Sequence, residues 1–143
     1  GTTSIDLGIR YGALFFDPAI QTAISNMIDN GIVDEMFEGR PYDWDEPNVV
    51  RAMIVLTDGE NCCGSRYSTV VQDLNTLAVC TELKLHDVLI YTIAFQAPPG
   101  GAALMAGCAS SPSHYFNADV SELITVFQGI GTSIQTQALR LTF

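Results

Sequence analysis

The stretch Met53-Ile-Val-Leu-Thr-Asp-Gly-Glu-Asn61 decides the fold. It closes a run, Arg51–Thr57, in which Ala-Met-Ile-Val-Leu is apolar without interruption and then stops at Asp58-Gly59. A short unbroken apolar run ended by turn residues reads as a strand covered on both faces, the habit of parallel sheets. Val88–Phe95 (Val-Leu-Ile-Tyr-Thr-Ile-Ala-Phe) repeats the pattern with β-branched and aromatic residues. Between them, Ser68–Lys84 carries Val70, Val71, Leu74, Leu77, Ala78 and Thr81 at helical spacing. Strand, helix, strand in that order is a βαβ unit, which demands a parallel pair and a crossover. The class is α/β, three layers, with a mostly parallel sheet.

Working outward, Gly101–Cys108 reads as a short helix and His114-Tyr-Phe116 as a short strand. Asp119-Val-Ser-Glu122 has the spacing of a capping box. It opens a helix with Leu123, Phe127, Ile130 and Ile134 on one face, weakened by Gly129 and Gly131. The alternating Ala138–Phe143 is expected as a terminal edge strand or a tail. Upstream, Ser4–Phe16 is expected to be a helix halted by Asp17-Pro18. Pro18 launches a second, Ala19–Asn30, with a stripe of Ile20, Ala23, Ile24, Met27 and Ile28, and Gly31 ends it. The acidic stretch Asp34–Glu46 holds Pro41, Tyr42 and Trp44 and reads as an excursion, about residues 31–48, leading to the first strand.

Composition narrows the function. The 143 residues carry 6 Lys+Arg against 16 Asp+Glu, a net charge of −10. That argues against sequence-independent nucleic-acid binding, which needs clustered bases, and against an anionic membrane surface. Four cysteines, Cys62, Cys63, Cys80 and Cys108, allow three fully paired connectivities, and spacing alone does not choose among disulfides, free thiols and metal. No C-x-x-C pair is present, which disfavours zinc. Disulfides would place the domain outside the cytoplasm.

In sheets of this class ligands sit beyond the carboxyl ends of the strands. Thr57-Asp-Gly-Glu-Asn61 puts a hydroxyl, two carboxylates and an amide at such an end, oxygen donors of the kind Mg²⁺ takes. An ordinary strand-to-helix turn uses the same residues for backbone reasons. Thr2, Thr3 and Ser4 are helix caps or a further oxygen for the same cation. The acidic excursion lacks the alternating pattern of a Ca²⁺ loop, so a solvated loop is the better reading, and Trp44 is either a partner anchor or a tucked structural ring. No nucleophile elbow, phosphate loop or H-E-x-x-H occurs. A Cys62 or Cys63 nucleophile would need a base such as His114 nearby.

With these residues in place, Met53–Asn61 resembles the central strand and Asp-Gly turn of a von Willebrand factor A (vWA) domain. Cys80-Thr-Glu-Leu-Lys-Leu-His-Asp-Val-Leu-Ile-Tyr-Thr-Ile-Ala-Phe95, the Cys108–Ala118 segment and the helix from Asp119 are similar to the vWA domains of TadG-like (Tad/Flp) pilus-assembly proteins. Gly1-Thr-Thr-Ser-Ile5 and Gly8 resemble the family's Gly-Gly-Thr-Asn-Ile pattern. The likeness covers most of the chain except about Asp17–Asn48.

The resemblance implies a vWA-like (Rossmann-like) domain over residues 1–143, N-terminally incomplete, without the first strand and helix of the family. It implies a divalent-cation adhesion site (MIDAS) in which Asp58 and Thr3 would ligate Mg²⁺ and Glu60 and Asn61 would orient the shell. The Asp-x-Ser-x-Ser part of that site has no counterpart here, since Asp6-Leu-Gly8 lacks the serines. A Cys80–Cys108 disulfide is implied, leaving Cys62 and Cys63 as a vicinal bridge, free thiols or bonds to another chain. The implied role is non-enzymatic: extracytoplasmic adhesion or assembly through protein partners, on a membrane-anchored parent. The alternatives are a metal-free structural interaction domain and a thiol enzyme. A strand edge left open beside Arg51–Thr57 is expected to pair, as in a homodimer.

Overall fold

The structure, a computed structural model, describes residues 4–62 and 67–141. Its centre is a three-stranded sheet in the order β1 (Ala52–Thr57), β2 (Leu89–Phe95), β3 (Tyr115–Ala118), every pair parallel. Ala52 faces Leu89 and Thr57 faces Ala94 across the first pair, while Thr92 faces Tyr115 across the second. The helices are α1 (Ile5–Leu14), α2 (Gln21–Asp29), α3 (Thr69–Leu85), α4 (Pro99–Cys108) and α5 (Leu123–Leu141). α3 makes the crossover from β1 to β2, and α4 leads from β2 towards β3. The α/β class and parallel sheet expected from the two apolar runs are what the chain forms.

Each face of the sheet has its own core. On one, α1, α3 and α4 close over Met53, Ile90 and Ala94, with Ile5, Ile9, Cys80, Leu83, Leu104, Met105 and Cys108 buried among them. On the other, α5 lays Ile130 against Tyr91, Ile93 and Ala118, with Leu123, Val126 and Ile134 packed alongside. β2 is central and buried nearly throughout, which is why its apolar residues do not alternate. β1 is an edge: among the described residues it pairs only with β2, and Ile54 and Leu56 stay 43% and 44% exposed.

Three expectations are corrected. The first concerns α3, whose apolar stripe faces the core only in part, through Leu77. Val70 is 68% and Leu74 62% exposed, while Gln72, Thr76, Cys80 and Leu83 are buried. Two attachments select that rotation. Cys80 lies at disulfide-bonding distance from Cys108, with Cα atoms 5.3 Å apart, and Thr76 reaches the buried Asn61. The second concerns the chain end: Ala138–Leu141 continues α5 as helix and is no edge strand. Packing along the Leu123–Ile134 face outweighs the two glycines, and Tyr91 Oη and Ser133 Oγ, 2.8 Å apart, pin the middle of the helix. The third concerns β1: its apolar run reads as a strand covered on both faces, yet at the edge of the sheet it leaves Ile54 and Leu56 exposed. Trp44 is half-buried, stacks on His86 at 4.2 Å between ring centroids, and packs against the core, which is the tucked-ring reading of the two left open.

The capping box forms with both reciprocal bonds. Asp119 Oδ1 accepts from the amides of Ser121 and Glu122, and Glu122 Oε2 accepts from the amide of Asp119. The Ser121 hydroxyl and amide hold the Asp119 carboxyl below its usual range. The excursion folds back on α2: Gln21 Nε2 donates to the Pro41 carbonyl at 2.7 Å, and Ser25 Oγ to Glu38.

This packing can be tested at two places. Replacing both Cys80 and Cys108 by serine should cost roughly 3 kcal/mol, the chain-entropy value for a loop of this length; denaturant melts of the two proteins measure it. Gly129 and Gly131 are exposed, and a Cβ at either would meet nothing within 4 Å. Gly129→Ala and Gly131→Ala should each stabilise by about 0.5–1 kcal/mol, read as a rise in melting temperature.

Candidate functional site

The turn after β1 is assembled from short local bonds. Thr57 is buried at 6% exposure, and its Oγ1 accepts from the Gly59 amide at 3.1 Å. That fold-back lifts Asp58 out of the strand and leaves its carboxylate exposed at the carboxyl end of the sheet. Gly59 is pressed against the start of α4: a Cβ on Gly101 would collide with the Gly59 carbonyl. Only a residue without a side chain admits that approach. Glu60 lies over the same helix start, since a Cβ on Gly100 would strike its Oε2. A carboxylate there is stabilised by the unpaired amides and dipole of the first turn.

Asn61 turns inward and is fully buried. Its Oδ1 accepts from the amides of Ile5 at 2.7 Å and Asp6 at 3.3 Å, the open N-terminus of α1. Its Nδ2 donates to Asp73 Oδ1 at 2.9 Å and Thr76 Oγ1 at 3.3 Å on α3. One side chain thus fastens β1's exit to two helices that share no other sequence-local link. Asp6 and Gln72 are 4% and 3% exposed, and Asp6 Oδ1 and Gln72 Oε1 are buried with no hydrogen-bond partner among the described residues. Buried acceptors of this kind are uncommon and cost free energy until a donor or cation reaches them.

The residues expected to surround a cation take different places in the described structure. Asp58 stands exposed, Glu60 leans on α4, and Asn61 spends its amide on α1 and α3. Thr3 and Cys63 lie outside the described residues. Among the described residues no group of three or more His, Cys, Asp or Glu side chains is placed to hold a metal. Cys62 is half-buried behind Asn61, at the carboxyl end of β1. His114 precedes β3 at the opposite end of the sheet, edge-on to Tyr91 and with Nδ1 2.9 Å from Ser111 Oγ. The topology does not bring this histidine to that cysteine.

Sequence reasoning passed over Asp6, Gln72, Asp73 and Thr76. A signal was available: Gln72, Thr76 and Cys80 recur every fourth residue, a stripe of hydrogen-bonding and thiol side chains along one line of the helix. Truncating the node should show its weight. Asn61→Ala strands two amides of α1 and takes a donor from Asp73 Oδ1, while the Thr76 hydroxyl keeps its bond to the Gln72 carbonyl, and should destabilise by roughly 2–4 kcal/mol in urea melts. Amide exchange should accelerate first at the start of α1.

Comparison with known proteins gives no match: no family model, no curated protein and no solved structure aligns with this chain.

Proposed function

We propose that this chain is a vWA-like interaction domain of an extracytoplasmic assembly or adhesion protein of the TadG-like kind, acting through protein contact and not through catalysis. The observation that carries the reading is the exposed Asp58 held beyond the carboxyl end of a parallel strand by the buried Thr57 and the Gly59–Gly101 contact. Rigid elements fix the backbone of this turn, so a partner meets a charge carried on a supported turn. Cys80 and Cys108 at bonding distance support an oxidising compartment.

Within this reading Asp58 accepts a donor from the partner, and Glu60, stabilised by α4, adds a second negative group beside it. The family's cation would require Thr3 and further oxygens in addition to Asp58; when bound it would supply a Lewis-acidic point for a partner carboxylate. The internal engagement of Asn61 favours the metal-free version, in which the edge binds through its own side chains. A thiol enzyme receives no support from the separation of Cys62 and His114.

A photo-crosslinking residue at position 58, introduced in cells, is expected to give one adduct of defined mass, absent when the residue sits at position 139 on α5. No adduct from positions 58 and 60 would overturn the reading. Calorimetry with Mg²⁺ and Mn²⁺ separates its two versions: no heat with either ion, and no difference in Asp58→Ala, is expected. Saturable heat lost in Asp58→Ala would instead establish the cation-dependent one.

A further inference from the structure

The opposite edge of the sheet holds a cleft of ≈ 670 Å³, within the size range of small-molecule sites. Arg51, Lys84 and Arg140 all line it, half of the 6 Lys+Arg in a chain of net charge −10. They come from three distant places: the entry to β1, the last turn of α3 and the last turn of α5. With 16 acidic residues available, each base had ample chance of a carboxylate partner. Yet the ion pair found among the described residues is His86–Glu82, and none of these three bases takes part in one.

Helix dipoles explain part of this. Lys84 and Arg140 sit where cations offset the negative ends of α3 and α5, and Lys84 Nζ also donates to the Gly107 and Ala109 carbonyls at 3.3 and 3.2 Å. The dipoles do not explain Arg51, which belongs to no helix and donates to the Asp43 carbonyl. A guanidinium has five donors, so Arg51 keeps most of its own for another acceptor. Its Cζ lies 5.7 Å from the centroid of the Trp44 ring, and Val49, Val50 and Leu89 give the cleft an apolar wall. Asp45, Glu46 and Asp87 also border the space and set a limit on the charge it accepts, so a compact anion suits it better than a polyanion.

We propose that this cleft binds a small organic anion, its carboxylate or phosphate held between Arg51 and Arg140 and its apolar body resting on Val49, Val50 and Leu89 beside Trp44. The inference stands apart from the proposed function, which concerns the far edge of the sheet.

Trp44 is the chain's one tryptophan and lies in the cleft, so it reports on binding directly. The intact chain is titrated with phenyl phosphate, benzoate and neutral benzamide at constant ionic strength while Trp44 emission is followed. A saturable change with at least one anion, of dissociation constant below about 1 mM, is expected, and benzamide is expected to give none. Stronger binding of phenyl phosphate assigns a phosphate site, and of benzoate a carboxylate site. Arg51→Gln and Arg140→Gln should each weaken the anion at least about tenfold. Arg140 is exposed near the end of α5, so its replacement leaves the fold intact. No saturable change with either anion, an equal response to benzamide, or unaltered binding in Arg140→Gln would overturn the proposal.

Discussion

A single buried amide organises the carboxyl side of this molecule. Asn61 accepts from the first free amides of α1 and donates to α3, so β1, α1 and α3 meet at one side chain. Buried polar groups are tolerable when fully paired, and Asn61 makes four such bonds. The rotation of α3 is a consequence: to present Asp73 and Thr76 to Asn61 and Cys80 to Cys108, the helix must turn Val70 and Leu74 to solvent. Local hydrophobicity would choose the other face. Tertiary bonding overrides it.

The two ends of the sheet differ in what the helices present. At the carboxyl end stand Asp6, Asp58, Glu60 and Asp73, next to helix starts that favour negative charge. At the amino end Arg51, Lys84, Arg140 and both histidines gather beside helix ends that favour positive charge, interleaved with Asp45, Glu46 and Asp87. A parallel sheet points its crossover helices one way, so it gathers helix starts at one end and helix ends at the other without any further device.

Features with local causes were the ones legible in the sequence. The apolar runs of β1 and β2, Pro18, Gly31 and the Asp119–Glu122 box act within a few residues, and the structure carries them where periodicity and capping chemistry place them. The facing of α3 was hidden because Asn61 and Thr76 are fifteen positions apart and Cys80 and Cys108 twenty-eight. Ala138–Leu141 alternates like a strand but inherits helix from a face that packs much earlier, at Ile130. For the candidate site, Asp58 was legible because a turn exposes the residue just past a buried strand. The placements of Glu60 and Asn61 were not, since their partners, α4, α1 and α3, are set by the whole fold.

The bare flank of β1 bears on how copies of this protein behave together. Ile54 and Leu56 form a sticky strip next to backbone groups that no other strand claims among the described residues, without the lysine or proline that usually guards such a border. Mutual repulsion between strongly acidic molecules keeps neighbours apart in dilute buffer. That shield reaches only about 8 Å at physiological salt and shrinks to about 3 Å in molar salt. Crowding in concentrated electrolyte therefore uncovers the strip, and the colloidal lifetime of the protein is governed by the ions around it as much as by its own core.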